Sequence, residues 1–210
     1  MKLKVAVSHE MGENCYFVID ENTNDAIVID PGDEADKLCR IVDREQLNVM
    51  AICLTHCHFD HAGAAERLKK HTNAPIFICR GEEIVAESTS YNLSAMFGKP
   101  FTVPYDKVLD EGDSFKFGSL EFKVILTPGH TPGGGCFYFE NEGVLFSGDT
   151  LFYMSVGRTD FPGGDSNALL ASIKDKLLKL PENTIVYPGH GAITIIREEK
   201  EVYEEKKDCE

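Results

Sequence analysis

VMAICLTHCHFDHAGAAERLKK, residues 49–70, decides how the chain is read. Val49–Thr55 is a short, nearly unbroken apolar run, the pattern of a strand buried on both faces. From His58 to Lys70 the period changes. Ala62, Ala65 and Leu68 recur at helical spacing, so a helix is predicted over 58–70. Between strand and helix lie four polar groups in six residues: His56, His58, Asp60 and His61. His56 and His58 are two apart, so in extended backbone their side chains point the same way. A helix cap needs one polar side chain, not four; imidazole with carboxylate is a divalent-metal ligand set.

The segments on either side predict the layers. Lys2–Ser8 alternates, with Leu3, Val5 and Val7 on one face. Cys15–Asp20 and Ala26–Asp30 flank an Asn- and Asp-rich turn and read as a hairpin. Asp33–Glu45 carries Leu38, Ile41 and Val42 at helical spacing, and Pro75–Cys79 is strand-like. In the second half, Phe115–Phe117, Leu120–Leu126, Gly135–Glu140 and Val144–Ser147 are closely spaced strands. Asp165–Leu180 is a helix capped by Asp165 or Ser166, and Thr184–Tyr187 is one more strand. The expectation is an α/β fold, one domain over 1–210, with two packed sheets and helices outside. Arg197–Glu210 reads as a solvated terminal helix without function. Ser88–Lys107, with Tyr91, Phe97, Phe101 and Tyr105, is either a loop packed by its own aromatics or a wall of a cleft.

Further metal ligands stand where strands end in Gly- and Pro-rich turns: His130 in TPGHTP, Asp149 in SGDT and His190 in YPGHG. Five histidines and two aspartates exceed one tetrahedral ion. They suit two ions with a bridging carboxylate, which hold water as hydroxide and polarise a carbonyl or phosphoryl oxygen. The competing arrangement is one iron(II) with open positions and oxygen chemistry. Asp30, ending its strand, is either a turn residue or a hydrogen-bond partner of a ligand imidazole. Strand alternation points Cys57 away from the metals, into the core.

Composition narrows the partners. Lys and Arg number 21 against 35 Asp and Glu, a net charge of −14, which disfavours nucleic acid and anionic membranes. No apolar run is long enough to span a bilayer, and the N-terminus lacks a signal-peptide pattern, so a cytoplasmic location is expected. Seven scattered cysteines without a CxxC pair read as small buried hydrophobes.

The order HCHFDH, PGHT, GDTLF, PGHG closely resembles the metallo-β-lactamase superfamily, from the first hairpin to about Gly191. The resemblance implies an αββα four-layer sandwich with the metals at one edge. It implies that His56, His58 and His130 hold one metal, that Asp60, His61 and His190 hold the second, and that Asp149 bridges them. Within the superfamily the pattern is most similar to glyoxalase II, a hydrolase of S-acylglutathione thioesters. It looks like the short, single-domain members, because the chain ends before a helical C-terminal domain. The expected cofactors are two divalent ions, zinc first, with iron or manganese as alternatives. The expected partner is a small acyl thioester such as S-lactoylglutathione. Asp60 and Asp149 would act in catalysis. Arg158 would bind a substrate carboxylate or form a salt bridge with Asp160 or Asp165. Persulfide dioxygenases share the segment Gly157–Phe161 and would use one iron on His56, His130 and Asp149. A metal-binding module without turnover is the non-enzymatic alternative.

Overall fold

The computed structural model describes residues 1–207. The first sheet runs in sequence order: β1 (Lys2–Val7), β2 (Asn14–Ile19), β3 (Asp25–Ile29), β4 (Asn48–Cys53), β5 (Ile76–Cys79) and β6 (Lys107–Leu109). β1 to β3 form an antiparallel meander; β3 to β6 are parallel. Parallel neighbours need crossovers. These contain α1 (Ala35–Glu45), then α2 (Phe59–Ala62) and α3 (Ala65–Thr72), then α4 (Glu83–Glu87). The second half supplies β7 (Ser114–Phe117), β8 (Leu120–Leu126), β9 (Gly135–Phe139), β10 (Val144–Gly148), the small hairpin β11 (Leu151–Phe152) and β12 (Ser155–Val156), α5 (Ser166–Asp175), β13 (Ile185–Pro188), β14 (Thr194–Ile195) and α6 (Ile196–Lys207). Its main sheet has the order β14-β13-β10-β9-β8-β7, with only β10 and β13 parallel.

The inner strands are buried on both faces, and alternation sends their side chains into two different cores. Tyr16, Val18, Ile27, Ile29, Ala51 and Cys53 point between the sheets, where they meet Phe122, Phe137, Phe139 and Phe146. Phe17, Ile19, Val28 and Ile52 point the other way, onto the helical layer with Leu38, Val42 and Leu68. Leu145 and Val186 face Leu169 and Ile173 of α5. The result is the expected helix–sheet–sheet–helix sandwich. Each of the four fully buried phenylalanines between the sheets contributes roughly 1.5–3 kcal/mol relative to an exposed one.

Several elements depart from expectation. The helix predicted over 58–70 is two helices. Ala64 N–H donates to Pro31 O at 2.9 Å instead of continuing the turn, which pins α2 to the end of β3. The Asp165–Leu180 helix stops at Asp175 and closes with a 3-10 turn at Leu177–Lys179; Asp165 is its cap, accepting from Asn167 N and Ala168 N. α4, β6, β14 and the β11–β12 hairpin are too short to show a period. The terminal helix is not merely solvated. Ile196 and Glu199 are fully buried, and Glu199 accepts from Thr194 Oγ1 at 2.7 Å and from Met154 N at 3.0 Å. Residues 208–210 of that predicted tail lie outside the described residues. The six described cysteines are buried and unbridged.

The two sheets are clamped at one edge. Asn14 N–H donates to Gly189 O at 2.7 Å and Tyr16 Oη to Pro188 O at 2.6 Å, beside a lone bridge between Glu13 and His190. Glu13 is fully buried, and neither of its carboxyl oxygens has a hydrogen-bond partner. Burial pushes its carboxyl up to about 10, against 4.5 in an unfolded chain. Between those values the folded state keeps a proton that the unfolded state has released, so this group lowers stability as pH rises. In the metal-free protein, Glu13→Gln is expected to flatten the loss of stability from pH 5 to pH 9. Urea midpoints at several pH values measure this, and equal slopes in both proteins would count against it.

Candidate metal centre

Seven predicted ligands converge on that edge. His56 and His58 lie in the loop leaving β4, and Asp60 and His61 in α2. His130 follows β8, Asp149 follows β10 and His190 follows β13. Every one stands at or beyond the C-terminal end of a strand, where loops are free to turn inward. Gly189 permits the approach: a Cβ there would lie 2.4 Å from Asp149 Oδ1 and 2.5 Å from His61 Cε1.

His56, His58 and His130 form one set whose ring nitrogens lie within coordination range of each other, and Asp60, His61 and His190 form another. His58 Nδ1 and His130 Nε2 are 3.0 Å apart; His61 Nε2 and His190 Nε2 are 3.2 Å apart. Asp149 stands between the sets. Its Oδ1 is 3.4 Å from His61 Nε2, and its Oδ2 is 3.6 Å from His130 Nε2 and 3.8 Å from His190 Nε2. His56 Nε2 and Asp149 Oδ1, both facing the cluster, are buried without any hydrogen-bond partner. Such orphans are costly, and neutral imidazole with carboxylate is the donor chemistry of a divalent cation. The cluster is built to bind divalent metal.

Outer contacts orient the rings. His130 Nδ1–H donates to the carbonyl of Arg158 at 2.6 Å, leaving Nε2 as the lone-pair nitrogen. His61 Nδ1 does the same toward Asp30 Oδ2 at 3.0 Å. Asp30 also accepts from Thr55 N at 2.7 Å and Thr55 Oγ1 at 2.6 Å. Of the two roles open to Asp30 in the sequence, this geometry is that of the imidazole partner. Asp30 also lies within coordination range of His56 and His61, but its oxygens are already engaged by Thr55 and His61.

Burial and close neighbours set the charges of the cluster. Burial, then the neighbouring imidazoles, hold His56 well below the ordinary histidine range; burial, with His130, pulls His58 down to about 3. Both rings stay neutral. Burial alone would raise Asp60, but His61 and His190 outweigh it and hold the carboxyl below its usual range. Burial alone would lower His61, but Asp149, Asp60 and Asp30 outweigh it and raise the imidazole.

A cavity of about 440 Å³ opens over the cluster, walled by Met11, Phe59, Phe97, Phe152 and Phe161. Segment 88–107 fills both predicted roles. Tyr91, Phe101 and Tyr105 pack on the outer core, while Phe97 stacks on Phe59 at 4.2 Å and walls the cavity. Arg158 lines the same cavity, but Asp160 already chelates its guanidinium at 2.6 Å on both Nε and Nη2, over the ring of Phe161. The salt bridge expected as the alternative is therefore present. The role of the Arg158 carbonyl toward His130 had no signal in the sequence, and neither did Glu82, which accepts from the amides of Cys57 and Gly133. Cys57 is fully buried on the helical side.

Known proteins resemble this chain over nearly its whole length. Hydroxyacylglutathione hydrolase GloC of Haemophilus influenzae is 36% identical over 203 residues, covering 95% of each chain. The BLEG-1 B3 metallo-beta-lactamase superposes with a TM-score of 0.90 at 40% identity, over 95% of this chain and 97% of that one. TTHA1623, solved in a di-iron-bound form, superposes with a TM-score of 0.84 at 37% identity, over 95% and 98%. The family model described as the metallo-beta-lactamase superfamily matches residues 10–190, so the chain belongs to that superfamily.

Proposed function

We propose that the protein is a two-cation hydrolase of small acyl thioesters, hydroxyacylglutathione thioesters among them. The observation that carries this reading is Asp149, one carboxylate set between two three-ligand sets with an oxygen toward each. The similarity to GloC supports the substrate class. In this reading His56, His58 and His130 would hold one cation and Asp60, His61 and His190 the other, with Asp149 available to both; zinc is the first expectation, with iron and manganese as alternatives. Such a cation pair would lower the pKa of a water toward neutrality and polarise a carbonyl oxygen.

The protein's own groups do the rest. Asp60, kept ionised by His61 and His190, orients the attacking water. Asp30 and the Arg158 carbonyl keep His61 and His130 in the tautomer that presents Nε2 inward. The aromatic walls take the acyl group and thin out water around the reacting carbonyl. A thiol has a pKa of about 8.5, so the thiolate leaves without a strong general acid. Arg158 takes a substrate carboxylate by exchanging it for Asp160, a swap of one bidentate pair for another.

The panel that tests this compares thioesters, oxygen esters, lactams and phosphodiesters on one preparation. Thioesters such as S-lactoylglutathione should be cleaved fastest, read as released thiol. Faster phosphodiester cleavage, or about one iron per chain with persulfide-dependent oxygen uptake, would replace the proposal. His56→Ala and Asp149→Ala should each lose one or both metals by elemental analysis and at least ~100-fold in kcat/KM, the upper end for loss of a mere supporting contact. Full turnover after metal depletion would sink the two-cation reading. Arg158→Ala should raise KM roughly tenfold, the worth of one charge-assisted hydrogen bond, for thioesters bearing a carboxylate and not for neutral ones. An equal effect on both would leave Arg158 a structural partner of Asp160.

A further inference from the structure

Glu82 follows β5 and precedes α4, outside both ligand sets, yet it is fully buried. Its two oxygens serve two different loops. Oε2 accepts from Cys57 N–H at 2.7 Å, and Oε1 accepts from Gly133 N–H at 3.1 Å. Cys57 is the residue between His56 and His58; Gly133 stands three residues after His130. The Gly133 loop also lies main chain against main chain on the turn that carries Glu82, since a Cβ on Gly133 would lie 2.2 Å from Glu82 N. Burial pushes the Glu82 carboxyl up to about 7, while the donors around it pull the other way. A buried acid at such a cost is kept for what its two acceptors hold.

We propose that Glu82 is a positioning residue for the first cation, locking in register the two loops that carry His56, His58 and His130. The inference rests on the metal reading above and deepens it. A carboxylate offers two acceptor oxygens, one per amide. Glutamine offers one oxygen and an NH2 group. With glutamine, one of the two amides would face a donor and lose its partner, and its loop would shift. In the second set the outer partner is Asp30, which holds His61, and Glu82 touches none of Asp60, His61 and His190, so that set should feel the change less.

The test is cobalt(II) binding, followed by its visible absorption against a competing chelator. It is run in two backgrounds: His190→Ala, which leaves the first set intact, and His58→Ala, which leaves the second. Glu82→Gln should weaken cobalt binding about 10–100-fold in the His190→Ala protein, the range for loss of an outer partner of a metal ligand. It should weaken binding in the His58→Ala protein by less than about threefold. Glu82→Asp, which restores both acceptors one methylene short, should recover part of the loss; if the Gln protein does not fold, Asp against Glu carries the same comparison. Equal losses in both backgrounds, or none with His190→Ala, would overturn the proposal. Two cobalt equivalents in the unsubstituted protein without a selective loss would remove Glu82's role and spare the two-cation reading. One equivalent would remove that reading, and the His190→Ala comparison would still decide Glu82.

Discussion

The Asp30 carboxylate is the contact on which the centre depends. It is buried, its backbone sits in the left-handed region at φ 49°, and it accepts from the Thr55 amide, the Thr55 hydroxyl and His61 Nδ1. These contacts tie the end of β3 to the loop leaving β4 and to the first turn of α2. An aspartate tolerates φ > 0 better than most residues, and its short side chain reaches the amide two elements away. Without such an acceptor, the His61 imidazole would have no fixed tautomer and the loop no anchor.

Around that anchor the fold solves a burial problem. Seven polar side chains must gather, buried or partly buried, at the edge of two apolar sheets. The sheets supply rigidity through strands buried on both faces. The Gly- and Pro-rich loops supply reach, and main-chain groups supply the outer hydrogen bonds. Asn14 and Tyr16 close the edge by bonding to the carbonyls of Gly189 and Pro188, the two residues before His190. Ligand placement and sheet closure are therefore one set of contacts.

The sequence was legible where chemistry is local. HCHFDH places four groups in six residues, and TPGHTP, SGDT and YPGHG mark strand ends by their turn residues. It was less legible where partners are distant. The Asp160 partner of Arg158, two residues away, was one of the readings open in the sequence, but the Arg158 carbonyl that orients His130 across 28 residues carries no side-chain signal at all. Glu82 and Glu13 look like ordinary surface acids until the fold buries them. The break in the 58–70 helix came from Pro31, a residue of another loop, taking up Ala64 N–H.

By itself the sequence determined the ligand types, their spacing and the alternation that makes strands with two buried faces. These follow from covalent spacing and side-chain chemistry alone. Only the tertiary structure decided which nitrogen of each ring faces inward, which acids lose water, and that Asp149 lies between the sets. His58 meets His130 across 72 residues and His61 meets His190 across 129. Contacts at such separations are fixed by the packing of the two sheets, because no local conformational preference reaches that far.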